Sequence, residues 1–515
     1  MKFNFKTYWL FLFFISITPL KAQTGGDAII YTNNYIGEKI EYFFYDIKQS
    51  LNSLSNTEKC EILYQDHDMN GVRVSILGND KDGFRAHPEA GTVVAEYYDN
   101  MINSIENARA ARGNKDFYVF ASKKLAGDNS FPDWVKDENG VMVSEYVTML
   151  SDYLRYMKYK GIDIDYLGIQ NEEVYNEGNI TAAKHADIID SLRVRSQTES
   201  WDMPLIVGYE DFGPNKAVIS GTGSFISNLS ALGKLDRMDV YGTHYYPAWR
   251  PLSNLQKDLA YLGDMPFWST EPHWDAKSDV DDFEEAIPAI MTLWDQVEAG
   301  MTGFMWWSYQ YSSTTALRPN LMPAFSVPIK DARAILMDDI DGPFIKGDKT
   351  YTRLETYAFR EDNIITVYVL NNTENVYTDY GFKVDQGSIS GRIACTQWLK
   401  EGDVQGTTGT FSTTSDQQFN YDIPAYSISY LSFSFEDETS ALAENATATQ
   451  VKLYPSVTSS TVYLQNNQAQ DYQVYSINGK MILNSNLDQI NVSTWPKGIY
   501  ILKTSSGQSL KFSKI

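Results

Sequence analysis

Between residues 36 and 315, short apolar runs alternate with amphipathic stretches eight times. The runs are KIEYFFYDI, GVRVSIL, DFYVFAS, IDYLGIQ, PLIVGYE, MDVYGTHYY, PFWST and GFMWWSY. A chain that repeats strand then helix must cover its strands with those helices. Eight repeats over roughly 280 residues suit a closed (β/α)8 barrel, an α/β fold. Between the runs, Val147, Leu150, Leu154 and Met157 recur near the helical period, as do Phe283, Ile287, Ile290 and Trp294. A doubly wound open sheet is the alternative. It requires a glycine-rich phosphate loop after its first strand, and YFFYDIKQS carries none.

Beyond the eighth run the apolar period falls to two, in TYAFREDNIITVYVLNNT, YTDYGFKV and AYSISYLSFSF. These segments predict an antiparallel β-sandwich from residues 318–435, joined by the early segment 27–35, attached to a barrel at 36–317. The acidic, small-residue stretch 436–450 reads as a linker and 451–515 as a small all-β unit. Residues 1–22 read as a signal peptide: basic MKFNFK, apolar YWLFLFFISITPL, then a small-residue exit. That apolar core is too short for a membrane span and no other run is long enough, so export without a stable span is expected. The net charge of -23 argues against a nucleic-acid partner and suits a neutral polysaccharide. Cys60 and Cys395 make no disulfide scaffold and read as two free, buried thiols.

In such a barrel, function gathers where strands end at the C-terminal face. Arg73 lies within the second strand, with Asn79 and Asp80 after it. Asn171 and Glu172 close the fourth. His244, Tyr245 and Tyr246 close the sixth, Glu271 and then Trp274 the seventh, and Trp306, Trp307 and Tyr309 the eighth. Glu172 and Glu271 are the notable pair. Glycoside hydrolysis needs two carboxyl groups, one holding a proton and one ionised, and strands four and seven face each other across a barrel. Asn171 would bond a sugar 2-hydroxyl and Tyr246 would hold the attacking carboxylate's second oxygen. Arg73, inside an apolar strand, orients a carboxylate rather than meeting ligand directly. Asp80, His244, Trp274 and Trp307 complete the expected substrate-binding set. One of Trp306 and Trp307 faces the barrel and the other the helices. Glu173 reads as a solvated helix-start residue. Lys123, Lys124 and Arg250 read as solvated surface, with a sulfate or uronate contact as the other reading.

YLGIQNEE and PFWSTEPHW resemble the two catalytic segments of clan A retaining glycoside hydrolases, nearest to family 30. SEYVTMLSDYLRYMKYKGIDIDYLGIQNE and FPDWVKD are similar to that family's helix-strand-acid segment and its tryptophan loop. The resemblance covers about residues 27 to 436. It implies a barrel joined to a sandwich, Glu172 as acid/base, Glu271 as nucleophile, and a β-1,6-glucan, galactan or xylan-type substrate. The chain departs from that family at the first strand, where IEYFFYDI replaces a Gly-rich opening. LYPSVTSSTVYL, YQVYSINGKMI and WPKGIYILKTSSGQSLKFSKI resemble the type A sorting domain of the type IX secretion system. That implies the type IX machinery as a partner and a secreted or cell-surface enzyme. The expectation is a monomeric retaining endo-β-glycoside hydrolase needing no cofactor or metal. Its alternatives are an agarase- or porphyranase-type hydrolase of red-algal galactans and a non-catalytic glycan-binding protein.

Overall fold

The computed structural model describes residues 22–24, 27–78, 85–124, 131–172, 179–212, 224–244, 252–272, 282–306, 309, 311–338, 354–437, 452–454, 457–458, 460–465, 471–476, 480–487, 489–504 and 509–514. Two compact units emerge, residues 1–436 and 437–515. Residues 1–21 of the expected signal peptide lie outside the described residues.

Eight parallel strands close into a barrel: β1 (Tyr42–Asp46), β2 (Gly71–Ile76), β3 (Tyr118–Lys123), β4 (Tyr166–Gly168), β5 (Leu205–Phe212), β6 (Val240–His244), β7 (Phe267–Ser269) and β8 (Met301–Phe304). They are the eight apolar runs of the sequence. Closure comes from β8 against β1, with Gly303 beside Tyr42 and Phe304 beside Phe43. Each strand leads to a helix: α1 (Thr57–Glu61), α2 (Glu96–Arg112), α3 (Val143–Tyr159), α4 (Ala182–Glu199), α5 (Phe225–Ala231), α6 (Leu252–Leu259), α7 (Asp282–Glu298) and α8 (Arg318–Ser326). Side chains at the helix starts satisfy first-turn N–H groups: Asn56 accepts from Lys59, Thr181 from Lys184 and Ser224 from Ser227. The two periodic stripes face inward. Val147, Leu150, Leu154 and Met157 are buried on α3, and Phe283, Ile287, Ile290 and Trp294 on α7. Each such side chain contributes about 1.5–3 kcal/mol of transfer free energy. The last helix, α8, falls beyond residue 317, where the sequence reading ended the barrel; Pro319 and Pro323 mask its helical pattern.

The lower barrel is filled by rings. Trp268 packs 4.6 Å from both Tyr42 and Tyr166, with Phe44 and Phe120 at 5.7 and 6.2 Å. Room for them depends on glycine: a Cβ on Gly71 would sit 2.4 Å from the Phe44 ring.

A sheet of ten strands packs beside the barrel. Leu354–Glu361 and Ile364–Asn371 form a hairpin whose alternate residues serve two cores. Ile365, Val367 and Val369 point into the sheet's own interior, where Phe419 meets Phe433 at 5.4 Å across unpaired strands, as in a sandwich. Tyr357 and Tyr368 point the other way, stacking on Trp294 of α7 at 4.8 Å and on Phe325 of α8 at 4.4 Å. Asp27–Tyr35 joins this sheet as expected. It runs antiparallel to Arg333–Asp338 but parallel to Val376–Val384, so the sheet is mixed rather than wholly antiparallel. Cys60 is buried and Cys395 only half-buried, both free.

The second unit is all-β, with a three-stranded and a five-stranded sheet over a core that includes Val462, Val474, Tyr500, Leu502 and Phe512.

Candidate active site

Inward residues alternate up each strand, so the aromatic layer is followed by a charged one at the C-terminal end. Asp46 ends β1, Arg73 sits in β2, Ser122 in β3, Glu210 in β5 and His244 at the end of β6. Arg73 is the hub, and none of its side chain is exposed. Its Nη1 donates to Asp46 Oδ2 at 2.7 Å and to Glu271 Oε2 at 3.0 Å. Its Nη2 donates to Glu210 Oε1 at 2.7 Å and to Asn171 Oδ1 at 3.1 Å. Burial works against this charge, but Glu210, Asp46 and Glu271 outweigh it and raise the guanidinium's pKa.

Glu210 is itself fully buried and takes a hydrogen bond from Ser122 Oγ at 2.6 Å. It reaches Arg73 because residue 168 is glycine: a Cβ there would lie 1.9 Å from Glu210 Oε2. Glu172 and Glu210 both hold positive φ, 61° and 48°, and the Glu172 N–H donates to the Glu210 carbonyl at 2.9 Å. Left-handed backbone at a non-glycine residue is uncommon and gathers at functional sites. Here it turns the chain after β4, where the Glu172 carboxylate meets His244 at the end of β6.

His244 lies between the two central carboxylates. Its Nδ1 is 2.8 Å from Glu172 Oε1 and its Nε2 is 3.4 Å from Glu271 Oε2 and 3.3 Å from Arg73 Nη2. The ring thus bridges the two carboxylates and stands beside the guanidinium. One oxygen of Glu172, one of Glu271 and a ring nitrogen of His244 all lie within 4.8 Å of one another. Such a group has the donor types for a divalent cation, but Arg73 already occupies the Glu271 oxygen and faces the ring nitrogen.

Exposure rises outward through this network. Arg73, His244 and Glu210 are sealed, whereas Glu271 is 13% and Glu172 22% exposed. Burial alone would raise the Glu271 carboxyl. His244, Arg73 and Lys48 overrule it and hold the group down to about 2, so it is ionised at any physiological pH. Burial, then Arg73, lowers the Lys48 ammonium to about 8.

Glu172, Glu271, Asn171, Arg73 and His244 from the sequence reading thus come together. Asp80, Tyr246, Trp274 and Trp307 lie outside the described residues, as do Asn79, Glu173, Tyr245 and Arg250. Arg73 and His244 are sealed, Arg73 against the carboxylates of Asp46, Glu210 and Glu271 and His244 against that of Glu172. One reading needs correction. Lys123 and Lys124 are not solvated but buried, with Lys123 Nζ 4.1 Å over the Phe131 ring. Trp306 takes the helix side, its Nε1 donating to Ser326 Oγ of α8 at 3.1 Å. Asp46, Lys48, Ser122 and Glu210 are additions. Asp46 and Glu210 carried the same signal as Glu172, an acid closing an apolar run.

A cavity of about 780 Å³ opens at the opposite, N-terminal end, between Tyr118, Leu154, Tyr166 and Trp201, away from all these groups.

Comparison with known proteins places the two units. Residues 452–515 match the secretion system C-terminal sorting domain, which directs type IX secretion to the cell surface or the extracellular space and implies handling by that machinery. No curated protein sequence matches the chain. Among solved structures, it is similar to a GH30 endoxylanase from Clostridium papyrosolvens C71, with 17% identity and a TM-score of 0.57, over 79% of this chain and 100% of that one. A family 30 subfamily 8 xylanase, Xyn30A, from Clostridium acetobutylicum follows at 16% identity and 0.56, covering 79% and 99%. The endo-beta1,6-glucanase BT3312 stands at 12% and 0.54, covering 79% and 93%. At these identities the likeness establishes the fold: a (β/α)8 barrel with an attached β-sandwich.

Proposed function

We propose that the chain is a secreted retaining endo-β-glycoside hydrolase that degrades a polysaccharide by double displacement. The observation that carries this reading is the pair Glu172 and Glu271. One oxygen of each lies within 4.8 Å of one oxygen of the other, beyond the ends of β4 and β7, at the partly exposed rim of a sealed charge network. Retaining enzymes hold their carboxyl groups about 5–5.5 Å apart, inverting ones about 6.5–9.5 Å, and the close spacing supports the former.

The ionised state of Glu271 fits it for attack and leaves the proton donor's part to Glu172. Glu271, kept ionised, attacks the anomeric carbon as the bond to the leaving sugar breaks. Glu172 gives its proton to the departing oxygen. Water then adds to the anomeric carbon, passes a proton to Glu172 and releases Glu271. Asn171 bonds the 2-hydroxyl, a contact that strengthens in the transition state. This chemistry needs no cofactor or metal. Xylanase and β-1,6-glucanase neighbours make xylan-type and β-1,6-linked polymers the first substrates to try.

The test is hydrolysis by the mature chain, wild type beside Glu271→Gln, over xylans, β-glucans, β-galactans and red-algal galactans, with product anomers followed by proton NMR. Activity lost in the variant, with the β-anomer appearing first, is expected. The α-anomer first would overturn retention. Glycan binding equal in both proteins, with no hydrolysis, would favour a binding protein on a barrel scaffold.

A further inference from the structure

The end of β1, where the chain departs from the Gly-rich opening of the family it resembles, carries Lys48 into the site. Lys48 is 2% exposed. Its carbonyl accepts from Ser75 Oγ at 2.8 Å, and its Nζ donates to Ser122 Oγ at 3.3 Å and to Asn171 Oδ1. Arg73 Nη2 donates to that same Oδ1 at 3.1 Å. Ammonium and guanidinium groups only donate, so the atom between them is the amide oxygen, and both its lone pairs are engaged. The Nδ2 donors of Asn171 have no partner among the described residues.

We propose that Lys48 is a positioning residue: together with Arg73 it locks the Asn171 amide so that its NH2 donors face the sugar bound beside Glu172, selecting a glycone that offers a free hydroxyl oxygen there. Arg73 alone is a weak lock, because its guanidinium is shared with Asp46, Glu210 and Glu271. Lys48 is the second point that stops the amide turning. Ser122 ties the Lys48 ammonium to Glu210, so the brace belongs to the same charge network. The inference rests on the glycosidase reading.

The experiment compares wild type, Glu271→Gln, Lys48→Met and Lys48→Arg on whichever polymer of the panel the wild type cleaves, with a crystal structure of Lys48→Met. A misplaced contact costs up to about a hundredfold, so Lys48→Met is expected to lower kcat about tenfold to a hundredfold while KM stays within about threefold. Lys48→Arg, which keeps the donors, restores most of the loss, and the Asn171 amide is displaced in the crystal. A kcat for Lys48→Met within about twofold of wild type, or a loss confined to KM, overturns the proposal and leaves the glycosidase reading intact. So does an unmoved Asn171 amide. A wild type that cleaves nothing overturns the glycosidase reading, and this role with it.

Discussion

Replacing Glu271 with Gln removes a negative charge that lies 3.0 Å from Arg73 Nη1 and 3.4 Å from His244 Nε2. The Gln carbonyl still accepts from Arg73, so the hydrogen bond survives and the charge alone is lost. The size of that loss follows from the carboxyl's titration. It is held at about 2 against an ordinary 4.5. At about 1.4 kcal/mol for each tenfold change in proton affinity, the charge contributes about 3 kcal/mol to folding. Because the folded-state pKa is depressed, this contribution is fully present above pH 4.5 and disappears as pH falls toward 2. Asp46 and Glu210 keep Arg73 compensated in the variant, so the cost stays below the roughly 3–5 kcal/mol of an orphaned buried charge, or at its lower edge.

The assay is urea unfolding followed by tryptophan emission, to which the buried Trp268 and Trp306 contribute, at several pH values between 7 and 3. Glu271→Gln should be less stable by about 3 kcal/mol at neutral pH, and the difference should narrow to roughly half of that by pH 3. Equal stability at pH 7, or a difference that does not shrink as the pH falls, would refute the electrostatic account of the site.

Two further outcomes test the same network from its other members. Arg73→Met leaves Asp46, Glu210 and Glu271 without their shared cation; a loss of about 3–5 kcal/mol in urea unfolding is expected, part of it recovered when Glu210→Gln is added. Gly168→Ala drives a methyl against Glu210 Oε2, so Glu210 must leave Arg73; a lower melting temperature, by about 1–3 kcal/mol in stability, and a fall in kcat are expected, and a wild-type melting curve would contradict the crowding seen at that point.

What the sequence revealed, and what it withheld, divides by range of interaction. The eight strands and the α3 and α7 stripes were legible because apolar periodicity is local, carried by residues such as Val147 and Leu150 within two turns of each other. The eighth helix, α8, was obscured locally too, by Pro323 in its interior. Glu172 and Glu271 were legible because an acid closing an apolar strand is unusual wherever it stands. Their surroundings were not. The partners of Arg73 stand 27, 98, 137, 171 and 198 residues from it, and Lys48 is 123 from Asn171. A buried charge is tolerated only where such partners converge. No stretch of neighbouring residues records that convergence, which is why Lys123 and Lys124 read as solvated and are in fact buried. It also explains why Asp46 and Glu210, with the same local signature as Glu172, escaped notice. Strand order gives each acid its height in the barrel, but only closure decides which acids share a cation. Arg73 is that decision: it binds three carboxylates, seals two of them, and leaves Glu271 ionised at the rim beside Glu172.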